Sequence, residues 1–256
     1  MRGFIPPQGA EEIVFCKKVY SLCEKTDKTG IRFFSSFLDL RQKDLFISQF
    51  NKFADLKLGF YRGFDGDTER CIACVSSQWD EIFPEDYPLT VLHSKIFGED
   101  KLSHRDFLGA IMNLMIKREY IGDIIVEEEN CYIICHKNMA QIIKSELKQV
   151  KRSFVDFCEY TQPLIYTRIP AQTKNVTVAS MRLDATISAI LNVSRNDGAA
   201  MIKQGMVSVN HLEVKRTDFE VIDGDILSIR KYGKYKLSHD GSKSRKDRYF
   251  ITYYKY

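Results

Sequence analysis

The sequence predicts an α+β protein built from three small domains. Two observations carry that expectation. The 256 residues exceed one average domain. Helical and alternating apolar patterns also take turns along the chain, and residues 89–160 read strand, helix, strand, strand, helix, strand. That βαββαβ order is the ferredoxin-like arrangement, which RNA-recognition modules share with many unrelated proteins.

Residues 1–78 form the first domain. A helix is expected over residues 11–27, with Ile13, Val19, Tyr20 and Cys23 near one stripe. A second runs from about Arg41 to Ala54, where Leu45, Phe46, Phe50 and Phe53 recur at helical spacing. "LGFYRGFDGDTERCIACVSS" then reads as two strands around a turn at Asp65-Gly66-Asp67. "WDEIFPEDYP", with its prolines and acids, is the boundary.

Residues 79–162 form the second domain: strand "LTVLHSKIF", a helix from Ser103 to about Met115, strands near "DIIVEE" and "CYIICH", a helix from about Met139 to Leu147, and strand "KRSFVDFCEY". Its strands lack the RNA-recognition signature of a basic residue, a glycine and spaced aromatics, so RNA binding there would proceed without the usual stacking rings. Residues 163–180 are expected to be a linker, extended at "KNVTVAS".

Residues 181–256 form the third domain. Leu183, Ile187, Ile190 and Leu191 fall at i, i+4, i+7 and i+8, a helix with one buried stripe. A second helix spans Ser194 to Gln204, opened by a Ser194/Asp197 capping box and closed by Gly205. Strands "MVSVN" and "DILSIR" follow, the latter after a turn at residues 223–225. Arg195 sits at the positive end of its helix, where a cation needs a nearby anion.

Composition narrows the function. With 44% hydrophobic and 28% charged residues the chain reads as a globular protein. Its longest apolar runs, at 124–126 and 132–134, fall far short of the roughly 20 residues of a membrane span. "MRGFIPPQGAEE" has no apolar signal core, so a cytoplasmic location is expected. From Arg230 to Tyr256 nine Lys or Arg face two acids, a net of +7, leaving about −3 on the first 229 residues. Tyr232, Tyr235, Tyr249, Phe250, Tyr253 and Tyr254 interleave that charge, which suits a folded, polyanion-binding surface better than a solvated tail.

The residues that could carry other chemistry are sparse. Seven cysteines (16, 23, 71, 74, 131, 135 and 158) make an odd set without a secretion signal. Cys71 and Cys74 have zinc-like spacing, but a separation of three on a strand puts the thiols on opposite faces, and no second pair follows. Reduced cysteines are expected, with no metal and no cofactor. The five histidines (93, 104, 136, 211 and 239) are scattered, and no P-loop or G-x-G-x-x-G fingerprint is present. No catalytic residue is assigned; the alternative is an RNA-modifying enzyme with an unfamiliar site in residues 1–160.

"RLDATISAILNVSRNDGAAMIKQGMVSVN" with "VKRTDFEVIDGDILSIRKYGKY" resembles the S4 RNA-binding domain over Met181 to about Lys236. Arg182-Leu183-Asp184, Ser194-Arg195, Gly205, Val209-Asn210, Asp218 and Gly224-Asp225 stand at that family's spacing. The resemblance implies that Arg182 and Arg195 open two helices on one RNA-binding surface, with RNA as the anion that Arg195 lacks. Ser194, Lys203, Gln204, Asn210, Lys215, Arg230, Lys231 and Lys234 complete the implied set, and Asp184 is read as a first-turn stabiliser. Two positions depart from the pattern: Asp197 replaces a frequent basic residue and His211 a common glycine.

Domain order matters too. S4-bearing pseudouridine synthases and methyltransferases usually place S4 ahead of the catalytic domain. The HIGH and KMSKS motifs of a tyrosyl-tRNA synthetase are absent, "GSKSR" at 241–245 being a superficial echo. The whole chain instead resembles the YlmH family of bacterial S4-domain proteins. The middle segment carries this second likeness, at His104-Arg105-Asp106-Phe107-Leu108-Gly109, Lys117-Arg118-Glu119 and Ile121-Gly122-Asp123. That family was first connected with cell division and is now connected with ribosome quality control. The resemblance implies a monomeric, non-enzymatic factor that binds the large ribosomal subunit, contacting rRNA and peptidyl-tRNA, alongside a factor that adds a tail to the stalled chain.

Overall fold

The computed structural model describes residues 6–66, 68–162, 165–166 and 173–255. They fall into two compact units, Pro6–Thr167 and Arg168–Tyr256. No helix among the described residues is long and apolar enough to cross a membrane.

The first unit opens with α1 (Gly9–Thr29), β1 (Phe33–Leu38), α2 (Leu40–Phe50), β2 (Leu56–Tyr61), the two-residue β3 (Asp65–Gly66) and β4 (Cys71–Ser77). α1 stops where Gly30 adopts φ 68°, a conformation that costs glycine nothing. α2 is fixed by a reciprocal cap: Asp39 Oδ1 accepts from the Gln42 amide at 2.8 Å, and Gln42 Oε1 accepts from the Asp39 amide at 3.0 Å. β4 lies between β1 and β2, antiparallel to both. β1 is an element that the helical and alternating patterns do not predict.

The segment after Pro88 has the expected order: β5 (Leu89–Phe97), α3 (His104–Asn113), β6 (Ile121–Glu127), β7 (Asn130–His136) and α4 (Lys137–Glu146). The closing strand is broken into β8 (Gln149–Val150), β9 (Ser153–Val155) and β10 (Cys158–Glu159). Lateral order β6-β7-β5-β9, with every pairing antiparallel, makes it ferredoxin-like. β11 (Ile165–Tyr166) pairs in parallel with β3, so the expected turn at 65–67 is partly a strand; residue 67 lies outside the described residues.

Both faces of the middle sheet are covered. On one, Leu92, Cys131, Ile133 and Cys135 pack with Phe107 and Ile111 of α3 and Ile143 of α4. On the other, Leu89, Val91, Ile125 and Ile134 pack with Phe37, Phe64, Ile72, Cys74 and Tyr87. The sequence boundary at 78/79 therefore falls inside one compact unit with a shared core. Gly122 shows how close the approach is, since a Cβ there would sit 2.7 Å from Phe37 Cε1.

The second unit is one antiparallel six-stranded sheet beneath two helices. Its elements are β12 (Thr173–Val178), α5 (Leu183–Leu191), α6 (Arg195–Lys203), β13 (Val207–Val209), β14 (Leu212–Glu213), β15 (Ile226–Ile229), β16 (Gly233–Ser238) and β17 (Tyr249–Lys255), in lateral order β12-β17-β16-β15-β13-β14. Part of the expected linker is thus β12, an edge strand of this sheet; residues 163, 164 and 167–172 lie outside the described residues. Leu183, Ile187, Ile190 and Ile202 of the helices pack on Val207, Val209, Leu227, Ile229, Leu237 and Ile251. Each such buried side chain contributes about 1.5–3 kcal/mol.

Candidate nucleic-acid interface

α5 and α6 cross where Gly198 leaves room: a Cβ there would lie 3.0 Å from the Asp184 carbonyl and 3.5 Å from the Ser188 amide. This contact brings the two helix starts together. Ser194 caps α6, its Oγ accepting from the Asp197 amide at 3.1 Å, as the capping box predicts. Arg182 is the N-cap residue of α5 and carries an extended backbone (φ −74°, ψ 142°).

Asp184 organises the site. Its side chain is only 8% exposed and accepts from Arg182 Nε at 3.1 Å and Nη2 at 3.0 Å, while Arg195 Nε stands 3.5 Å away. Burial opposes ionisation of this carboxyl, but the Arg182 hydrogen bond, the Ala185 amide at 2.8 Å and the Arg195 and Arg182 charges outweigh it and hold the group below its ordinary range. Within the protein, Arg195 pairs with Asp184. One carboxylate between two guanidiniums leaves a net positive charge, and the Arg182 and Arg195 side chains remain 40% and 55% exposed. Among the described residues the Arg195 side chain's contact is the Asp184 ion pair through Nε, and the side chain is otherwise exposed.

The two helix starts are not equivalent. At α5 the Leu183 amide donates to Phe219 O at 2.7 Å and the Asp184 amide to Thr217 O at 3.2 Å, so this end has no amide left for a phosphate. Its contribution is the Arg182 guanidinium. At α6 only the Asp197 and Gly198 amides of the first turn are taken, by Ser194 Oγ and Ser194 O. Anion capacity lies there.

The other expected residues disperse. Lys203 and Gln204 are exposed at the far end of α6. Asn210 is committed to the fold: its Nδ2 donates to Asp225 Oδ1 at 2.8 Å and its Oδ1 accepts from the Ile226 amide at 2.9 Å. An amide serving both neighbours pins the β13–β14 turn to β15, so Asn210 has a role in the fold. Lys215 pairs with Glu213 at 3.3 Å, Arg230 and Lys231 are exposed after β15, and Lys234 lies half-buried on β16. The missed organisers are Asp184 and Asp225; Asp225 Oδ2 also accepts from the Ile222 amide at 2.9 Å. For Asp184 the signal was an acid two residues after Arg182.

The cysteines follow strand geometry. Cys71 packs with Val19 and Cys23 on one face of β4, and Cys74 with Phe37 and Tyr87 on the other. Burial pushes Cys74 up to about 12 and Cys23 up to about 11, so both stay thiols at neutral pH. On the middle sheet His93, Tyr132 and Tyr160 form a ring cluster that was not expected, with centroids 4.8 to 5.7 Å apart.

The fold defines a mixed α/β protein. Residues 85–162 match the family model described as "Putative RNA-binding domain in YlmH". The chain is 29% identical over 223 residues, covering 86% of it and 85% of the relative, to "Ribosome-associated protein quality control protein P2" of Bacillus subtilis (strain 168). A solved structure, "Cell division protein ylmH from Streptococcus pneumoniae", shares the fold with a TM-score of 0.52 at 21% identity, over 62% of this chain and 96% of that one. The resemblance to the YlmH family thus holds along most of the chain.

Proposed function

We propose that this protein is a non-enzymatic, monomeric cytoplasmic RNA-binding factor that docks on the large ribosomal subunit. It contacts rRNA and peptidyl-tRNA mainly through residues 181–256 and acts in the quality control of stalled nascent chains, beside a tailing factor. The observation that carries this reading is the Arg182–Asp184–Arg195 group, in which one buried carboxylate aims two exposed guanidiniums from adjacent helix starts. It sits in a strongly charged segment: residues 168–256 hold 16 Lys or Arg against nine acids, a net of +7. The name of the Bacillus relative supports the ribosome as the partner.

The test is co-sedimentation of the full chain with purified ribosomal subunits. Retention on the large subunit, reduced by Arg182→Ala and by Arg195→Ala without loss of fold, is expected. Equal retention of wild type and both variants would remove the assignment.

A further inference from the structure

The C-terminal sheet has a second face. Helices α5 and α6 cover the side carrying Leu227, Ile229, Leu237 and Ile251, where Tyr253 Oη donates to Ile190 O at 3.3 Å. Side chains alternate along strands and directly paired residues share a face, so the opposite side follows from the register. One row there is Lys236, Tyr254 and Thr173; the next is Ser238, Thr252 and Asn175; the last joins Phe250 to Thr177. Lys234 and Ser228 continue it on β16 and β15.

Three features set this face apart. Phe250 is 44% exposed, an unusual fraction for a phenylalanine in the middle of a sheet. Arg248 is pinned beside it, Nε donating to Thr177 Oγ1 at 3.1 Å and Nη2 to Thr177 O at 2.6 Å. On this face β16 presents Lys234 and Lys236, the β12, β16 and β17 residues of the face include no Asp or Glu, and Glu213 on β14 is its acid at the far edge. The face is cationic, and it carries two aromatic rings four residues apart on β17, about 13 Å at strand spacing.

We propose that this outer face binds single-stranded RNA, with Phe250 and Tyr254 stacking on bases while Lys234, Lys236 and Arg248 contact the phosphates. Aromatic rings set among cations on strands without acids are the chemistry that holds unpaired nucleotides, whose bases are exposed for stacking. A duplex would offer phosphates only. The inference rests on the reading that this unit binds RNA, and it adds a contact on the side of the sheet away from Arg182 and Arg195. The helix starts and the sheet would then engage separate RNA segments.

The experiment measures binding of the full chain to a labelled single-stranded RNA of about ten nucleotides and to the matching duplex. Phe250→Ala and Tyr254→Ala each weaken single-strand binding about tenfold, the scale of one lost stack, and leave duplex binding unchanged. Tyr254→Phe, which keeps the ring, binds like wild type, and Lys236→Ala flattens the salt dependence by about 0.7. Single-strand binding unaffected by both alanine variants overturns the proposal, as does Tyr254→Phe losing as much as Tyr254→Ala. Large-subunit retention of the same proteins separates the two readings. If Arg195→Ala leaves retention intact while Tyr254→Ala abolishes oligonucleotide binding, the helix-start site fails and the sheet face stands.

Discussion

The two compact units contrast in how their best-placed arginines are used. In residues 6–167 three guanidiniums, those of Arg41, Arg70 and Arg118, are absorbed by the protein. Arg41 donates to both oxygens of Glu12 at 2.9 and 2.6 Å. Arg70 donates to the Ile121 and Phe37 carbonyls at 3.0 and 2.8 Å, and Arg118 to the Ile121 and Gly122 carbonyls. Burial and the neighbouring Arg70 charge bring Arg118 down to about 10, a measure of how enclosed that cation is. In residues 168–256 Arg182 and Arg195 share one carboxylate and keep donors in solvent. Net charge follows: 21 basic against 25 acidic residues in 6–167, a net of −4, and +7 in 168–256. An arginine becomes available for a ligand when backbone carbonyls do not saturate it.

The largest effects should divide along that line. Gly122→Ala drives a methyl against Phe37, which is fully buried and cannot move, and against Ile134 at 3.1 Å. Overpacking there should lower stability by about 1–3 kcal/mol, read by urea denaturation, without altering the RNA affinity of the folded protein. A parallel loss of affinity would mean that the first unit takes part in binding.

Asp184→Asn sharpens the comparison within the second unit. Removing a charged acceptor shared by two guanidiniums should cost about 2 kcal/mol at neutral pH. The carboxyl is held below its ordinary range when folded, so its contribution is present above that range and is lost as pH falls through the depressed value. The stability gap between wild type and Asp184→Asn should therefore close in acid, as denaturation at several pH values would show. A gap independent of pH would assign the effect to packing instead.

The smallest effect is expected at His211. It occupies φ 68° in the β13–β14 turn, where glycine is unstrained, after Asn210 at φ 49°. His211→Gly relieves the positive-φ strain but removes the imidazole's own interaction and adds glycine's greater freedom when unfolded, so stability should change by less than about 1 kcal/mol in a thermal melt. A marked fall would show that the histidine side chain holds the turn.

Much of this was legible in the sequence for local reasons. Leu183, Ile187 and Ile190 announce their stripe, Ser194 and Asp197 their capping box, and 89–97 its strand, because spacing alone decides each. The shared core of residues 6–167 was less legible. Its signal was present in "DIIVEE" and "CYIICH", whose uninterrupted apolar runs lack the alternation of a sheet with one wet face and imply cover on both sides. β1 escaped because "FFSSFL" is short and its partner β4 is 33 residues away at closest, from Leu38 to Cys71. In the site, Arg182 and Arg195 could be found from the motif, but Asp184 as their common partner required knowing that Gly198 lets α5 and α6 touch. That Asn210 shapes the turn was not legible, because motif spacing does not reveal which side chains bond to the strand beside them.

The most direct measurement is the salt dependence of large-subunit binding by wild type and Arg195→Ala, taken with their melting temperatures. Arg195 is exposed and outside the helix stripe, so melting should change little, while affinity falls and the slope of log K against log salt flattens by about 0.7 to 1, the release of one phosphate contact. A lower melting temperature with affinity and slope unchanged would make Arg195 a structural partner of Asp184 and contradict the account.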